Sequence, residues 1–135
     1  MRLLILIIAI TVSIAVASSS SPEYIKYAGS SYSGLGYNLY FVVADQDGNS
    51  IACDGNVTLM INTQYEKTYK VSKSDFHQGN LEEFSAKENF VYSFPRIPFK
   101  DIPDHSDDDW GGIAFTPDDK TGWSEASLVS FSGVI

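Results

Sequence analysis

The sequence has little with which to build a catalytic centre or a nucleic-acid-binding surface. Its 135 residues include one cysteine, two histidines and nine lysines or arginines. It contains no glycine-rich phosphate loop, two-histidine metal spacing or nucleophile elbow. Seventeen acidic residues bring the formal charge to −8, whereas nucleic acid and anionic lipid both require clustered lysine and arginine. We therefore expect no enzymatic activity, no nucleic-acid partner and no cofactor, with calcium as the single exception.

A single cysteine excludes an internal disulfide. Cys53 lies in the apolar triplet Ile51-Ala52-Cys53, which predicts a buried and unreactive thiol. A secreted domain without disulfides must be held together by its apolar core. Chains of about this length are long enough, since they bury roughly two thirds of the surface that they expose when unfolded.

The N-terminus has the pattern of a secretory signal peptide. Arg2 precedes an uncharged run from Leu3 to Ala17, which ends in the small-x-small triplet Ala15-Val16-Ala17. A retained membrane anchor is the alternative, but the run is shorter than the roughly 20 apolar residues that a spanning helix requires. We therefore predict a signal peptide over residues 1–17, no other membrane segment, and a secreted or cell-surface location.

Helical periodicity is nearly absent, whereas strand signals recur about every eight to twelve residues. Apolar residues alternate with polar ones from Tyr37 and again from Val57 to Ile61, and Asp-Gly pairs at 47–48 and 54–55 are typical of turns. The stretch from Ser74 to Ala86 has no period of two and is interpreted as a long connection between sheets. We predict an all-β fold, a single antiparallel β-sandwich of about six to eight strands.

Serine, tyrosine and glycine dominate the segment before this pattern. Residues 18–33 are interpreted as an N-terminal arm or first strand, and residues 34–135 as the sandwich domain. A strand over Glu23 to Ala28, followed by a glycine-serine linker, is favoured. Alternatively, the arm leaves its own domain and completes the sheet of a neighbouring copy, because an added strand satisfies an open sheet edge. The exchanged residues would be Tyr24, Ile25 and Tyr27.

The densest cluster of charge lies between Asp101 and Trp110. Carboxylate oxygens are the ligands that Ca²⁺ prefers, so this loop is a candidate calcium site. A solvated acidic loop without an ion is favoured, because the spacing matches no defined calcium motif. The candidate ligands are Asp101, Asp104, Asp107, Asp108 and Asp109.

Asn56-Val57-Thr58 is an N-glycosylation acceptor pattern, which an exported chain can use. Its position beside the Asp54-Gly55 turn predicts that Asn56 is accessible. An unmodified asparagine is an equally good interpretation, because such triplets often arise by chance.

The segment from Asp45 to Leu59 reads D-x-D-G-x-x-I-A-x-D-G-x-V-x-L, and Tyr69, Val71 and Asp75-Phe76 follow it. It resembles the immunoglobulin-like and fibronectin-III-like modules of archaeal and bacterial secreted or surface proteins. The resemblance spans residues 37–131 but lacks the cysteine pair and strand tryptophan of true immunoglobulin domains. Such modules serve as spacers, adhesins, carbohydrate-contacting domains or fibre subunits, so the fold alone does not define the function.

These observations favour an exported, non-enzymatic β-sandwich with a structural or adhesive role at the cell surface. Its partners would be other copies of itself or cell-surface proteins. A more specific form of this interpretation is a subunit of a pilus-like fibre. The second interpretation is a secreted module that binds carbohydrate or a small ligand, with exposed tyrosines, Trp110 or Trp123 as stacking platforms. A secreted hydrolase is the third, and it would depend on His77, His105 and acidic residues.

Overall fold

A computed structural model describes residues 21–119 and 124–131 of the chain. This part is all-β, with ten strands, three short 3₁₀ turns and no α-helix among the described residues. The all-β prediction is therefore confirmed. None of the helical segments in the described ranges is long and apolar enough to cross a membrane. The predicted signal peptide over residues 1–17 lies outside the described residues.

Strands account for most of the described chain. Their bounds are β1 (Tyr24–Ser33), β2 (Gly36–Ala44), β3 (Ser50–Ile51), β4 (Gly55–Ile61), β5 (Tyr65–Val71), β6 (Phe76–Leu81), β7 (Ala86–Ser93), β8 (Ile97–Pro98), β9 (Gly111–Pro117) and β10 (Glu125–Phe131). The 3₁₀ turns are Lys73–Asp75, Glu82–Phe84 and Phe99–Asp101. The second of these, called the 82–84 turn, joins β6 to β7.

The strands form one curled, mixed sheet that resembles half a barrel. Its order is β5-β4-β9-β10-β1-β2-β7-β6, and β3 and β8 pair with β2 outside this path. The prediction of a purely antiparallel sheet is wrong, because β1 and β10 run parallel where Gly29 and Ser30 face Ser130 and Phe131. Parallel neighbours need a long crossover. Here most of the domain separates the two strands, since Ser30 and Ser130 are 100 residues apart.

The predicted glycine-serine linker is instead part of a long hairpin. β1 continues to Ser33 and pairs with β2 as far as the Ser33–Gly36 pair. Gly34 opens the two-residue turn with a φ of 56°, a left-handed conformation that glycine adopts without steric penalty. The small residues of this segment are therefore a strand in the middle of the sheet.

The predicted connection from 74 to 86 contains the edge strand β6. Phe76 and Leu81 are its buried residues, and they belong to two different apolar clusters. The residues between them are polar or glycine, so no apolar alternation marks the strand in the sequence. The turn predicted at Asp47-Gly48 is confirmed, because it joins β2 to β3, which pair antiparallel through Val43–Ile51 and Ala44–Ser50.

One core lies between the two halves of the curled sheet. The Phe41 ring of β2 lies 5.5 Å from the Phe115 ring of β9 and 5.7 Å from the Phe94 ring, measured between centroids. Aromatic pairs at such distances are favourable beyond the area that they bury. Cys53 belongs to this core and is only 5% exposed, so the predicted burial of the thiol is confirmed. Burial is the main reason that the pKa of Cys53 rises to about 12.

A second, smaller apolar cluster lies on the opposite face of β2. Val42, Leu81 and Val91 form its buried part, and half-buried Tyr27, Tyr40 and Phe84 pack against them. Val42 points away from the main core because side chains alternate along a strand. This cluster supports the 82–84 turn above the outer face of the sheet.

Candidate functional site

A groove of about 500 Å³ opens on the outer face of β1, β2, β7 and β6. Two aliphatic side chains of the second cluster, Leu81 and Val91, contribute the apolar part of its lining. The polar part comprises hydroxyl, phenol, imidazole, amide and carboxylate groups. The polar lining residues are Ser30, Ser31, Tyr40, His77, Asn80, Glu82, Glu83 and Ser93.

Glu83 is held in place by two hydroxyl groups. Its Oε1 accepts a hydrogen bond from the Tyr40 hydroxyl, and its Oε2 accepts one from the Ser130 hydroxyl at 3.2 Å. The carboxylate lies against Gly29 of β1, where a Cβ atom would collide with Oε1 and lie 2.7 Å from the Tyr40 hydroxyl. The missing side chain at Gly29 therefore makes room for the Glu83–Tyr40 pair.

Aromatic packing fixes the turn that carries Glu83. The Phe84 ring stacks on Tyr27 with centroids 4.7 Å apart and meets Tyr40 edge-on at 6.5 Å. Burial, and then the hydrogen bond to Glu83, raise the pKa of Tyr40 well above its ordinary value of 10.0. The phenol therefore remains protonated at neutral pH and donates to the carboxylate.

His77 occupies another part of the groove lining. Its Nδ1 lies 3.1 Å from the Gln78 carbonyl oxygen, and its Nε2 lies 2.9 Å from the Ser93 hydroxyl. A carbonyl can only accept, so Nδ1 carries a proton, whereas the Ser93 hydroxyl can either donate to Nε2 or accept from it. The groove can thus bind ligands that carry several hydrogen-bond donors and acceptors next to apolar surface.

A shallow apolar groove of about 390 Å³ lies on the outer face of the other half of the sheet. Two cross-strand rows form it: Met60, Gly112 and Leu128, beside Thr58, Ala114 and Ala126. Trp110 borders these rows and is 46% exposed, and Leu128 is 78% exposed. Small residues between larger apolar ones leave space beside the indole, so Trp110 can serve as a stacking platform. Trp123 lies outside the described residues.

The acidic loop is attached to the sheet through one of its five aspartates. Asp109 is buried and accepts hydrogen bonds from the Tyr37 hydroxyl at 2.8 Å, the Asn62 amide at 2.6 Å and the Ser106 backbone N–H at 3.1 Å. His105 Nδ1 contacts the same carboxylate. Burial alone would raise the pKa of Asp109, but the hydrogen bonds from Asn62, Tyr37, His105 and Ser106 outweigh it and hold this pKa below 3.8.

The other four predicted calcium ligands, Asp101, Asp104, Asp107 and Asp108, are exposed. Within the described ranges, no three or more His, Cys, Asp or Glu side chains are grouped so that they could hold a metal ion. The five aspartates are close in sequence, but the structure does not group their carboxylates around one point. Calcium binding by this loop stays a prediction.

The remaining predicted sites lie on the sheet. Asn56 of β4 is exposed, and Thr58 of the same acceptor triplet points to the same outer face, so glycosylation at Asn56 stays a prediction. The predicted exchange strand belongs to the chain's own sheet, where β1 lies between β10 and β2. Its residues Tyr24, Ile25 and Tyr27 pair with Ala44, Val43 and Val42.

Sequence reasoning missed the groove. A carboxylate pair in a polar stretch, such as Glu82-Glu83, predicts a solvated surface, and no pattern in the sequence gives Tyr40 or Gly29 a role. Tyr40 and Glu83 are 43 residues apart, so no local pattern connects them. The one available signal was the run of small residues around Gly29, which lets other side chains approach the backbone closely.

Comparison of the chain with family models, curated proteins and solved structures finds no match.

Proposed function

We propose that this protein is an exported, non-enzymatic β-sandwich module that acts in adhesion at the cell surface by binding carbohydrate. The polar groove around Glu83 is the observation that carries the proposal. Sugars combine many hydroxyl groups with apolar ring faces, and the groove combines hydroxyl, imidazole, amide and carboxylate groups with Leu81 and Val91. Ligand sites commonly pair such apolar lining with a few positioned polar groups.

The sandwich form is supported by the core that the two halves of the sheet share. Phe41 and Phe115 come from different halves and pack ring against ring. This arrangement suits the immunoglobulin-like and fibronectin-III-like resemblance of residues 37–131. Export is supported by the signal-peptide pattern of residues 1–17, and the partners would be glycans or glycoproteins at a cell surface, including other copies of this chain.

The platform at Trp110 is a second candidate site for the same function. An indole beside an apolar surface stacks on the apolar face of a sugar ring. The neighbouring Gly112 leaves room for that ring, and Leu128 adds exposed apolar area. The two sites lie on different halves of the sheet, so variants can separate them.

A glycan array with the mature chain, followed by calorimetry on any glycan bound, tests the proposal. Removing a charged hydrogen-bonding group costs about 1.5–3 kcal/mol. Glu83→Gln should therefore weaken binding roughly ten- to a hundredfold. Glu66→Gln on β5 is the matched control, because it removes one exposed negative charge outside the groove.

Trp110→Ala decides between the two sites. If Trp110→Ala abolishes binding and Glu83→Gln does not, the platform is the binding site. If the wild-type chain binds no glycan on the array, the proposed function is wrong. If hydrolysis products appear when the chain is incubated with a glycan that it binds, the proposed lack of enzymatic activity is wrong.

A further inference from the structure

The charges around the groove restrict the class of carbohydrate that it can take. Glu82 and Glu83 both line it, and none of its lining residues in the described chain is lysine or arginine. The chain as a whole carries −8, so its long-range field repels anionic sugars.

Glu83 retains acceptor capacity for a ligand. An ionised carboxylate has about four lone-pair sites, and the Tyr40 and Ser130 hydroxyls each occupy one. The side chain is half-buried and borders the groove, so a donor in the groove can reach the remaining sites. An ammonium group has three donors, and its bonds to a carboxylate are about twice as strong as neutral ones.

We propose that the groove binds an amine-bearing carbohydrate and that the ligand's ammonium group pairs with the carboxylate of Glu83. This inference rests on the proposed function and specifies in addition that the ligand carries a positive charge. Tyr40 and Gly29 act as positioning residues: the phenol holds Oε1, and the bare backbone at Gly29 lets the carboxylate lie close to β1. The other hydroxyl and amide groups of the lining would contact the sugar hydroxyls.

The test is calorimetry at about pH 6 with two oligosaccharides of equal length, one of glucosamine and one of N-acetylglucosamine. Acetylation turns the ammonium group into a neutral amide and leaves the sugar backbone unchanged. The wild-type chain should bind the glucosamine oligomer at least about tenfold more tightly, and added salt should reduce this preference. Glu83→Gln should remove the preference, whereas Glu66→Gln should retain it.

His77→Gln is measured in parallel, because it removes the imidazole from the groove lining and leaves Glu83 in place. Equal binding of both oligomers by the wild type and by His77→Gln would overturn the inference and leave the proposed function standing. A preference that survives in Glu83→Gln would overturn the role of Glu83. Failure to bind any glycan would instead overturn the proposed function. The comparison of the two oligomers on the wild-type chain requires no variant to fold.

Discussion

Replacing Asp109 with alanine should destabilise the fold, because four donors of the acidic-loop network lose their acceptor. The Asp109 side chain is only 1% exposed, and the Tyr37 side chain that bonds to it is fully buried. A buried polar group without a partner costs about 1–3 kcal/mol. Tyr37 and Asn62 would both be affected, whereas water can reach the half-buried His105 and the exposed Ser106. We expect Asp109→Ala to lower the free energy of unfolding by about 2–5 kcal/mol.

Asp109→Asn should be milder, because it keeps the shape of the side chain. Its amide oxygen can replace Oδ1 and accept from Asn62 and Ser106, while its NH₂ group replaces Oδ2 and can donate to the Tyr37 hydroxyl oxygen. We expect a loss of about 1–2 kcal/mol. Urea unfolding followed by far-UV circular dichroism gives these values from the midpoints and slopes.

Asp108→Ala is the matched control, because Asp108 is the exposed neighbour and should change stability by less than about 0.5 kcal/mol. An Asp109→Ala variant that is as stable as this control would refute the role assigned to the network.

The same network predicts how stability depends on pH. The folded-state pKa of Asp109 lies below its ordinary value of 3.8. Its contribution is therefore complete above the unfolded-state pKa and is lost as the pH falls through the folded-state pKa. Wild-type stability should fall more steeply below about pH 4 than that of Asp109→Asn, and parallel curves for the two proteins would contradict this.

Two substitutions and one labelling experiment probe the core and the groove. Phe41→Ala should lower the free energy of unfolding by about 3–5 kcal/mol, because the ring is fully buried between the two halves of the sheet. A urea midpoint close to that of the wild type would mean that the two halves do not share this core. Gly29→Ala should weaken glycan binding as Glu83→Gln does, because the new methyl group displaces the Glu83 carboxylate. An unchanged affinity by calorimetry would contradict the role of Gly29 in positioning Glu83. Cys53 should resist a thiol reagent at neutral pH in the folded protein and react rapidly in denaturant, because burial raises its pKa to about 12. Rapid labelling of the native chain would show that the thiol is accessible.

Local patterns predicted the strands whose two faces differ clearly. The alternation from Val57 to Ile61 corresponds to β4, where the apolar residues are buried and the intervening ones are more exposed. The same reasoning failed for β6, an edge strand whose middle residues are polar or glycine. It also failed for the second half of β1, because serine and glycine give no hydrophobic signal even in the middle of a sheet.

The candidate groove could not be predicted in this way. Its lining comes from β1, β2, β6, β7 and the 82–84 turn, and register alone decides which of their side chains meet. Glu83 looks like a solvated acid in the sequence, and it becomes a positioned group only because Tyr40 and Gly29 lie beneath it.

The sequence by itself determined the all-β class and the burial of Cys53. The alternation of apolar and polar residues, the turn residues and the apolar triplet around Cys53 are local properties of the sequence. The all-β class and the burial of Cys53 depend mainly on these local properties. Only the tertiary structure decided that β1 and β10 lie side by side in parallel, that Asp109 alone of the five aspartates is buried, and that Glu83 borders a groove. The physical reason is that alternation determines which face of its own strand a side chain occupies. The neighbour of that strand is chosen by the packing of the whole chain.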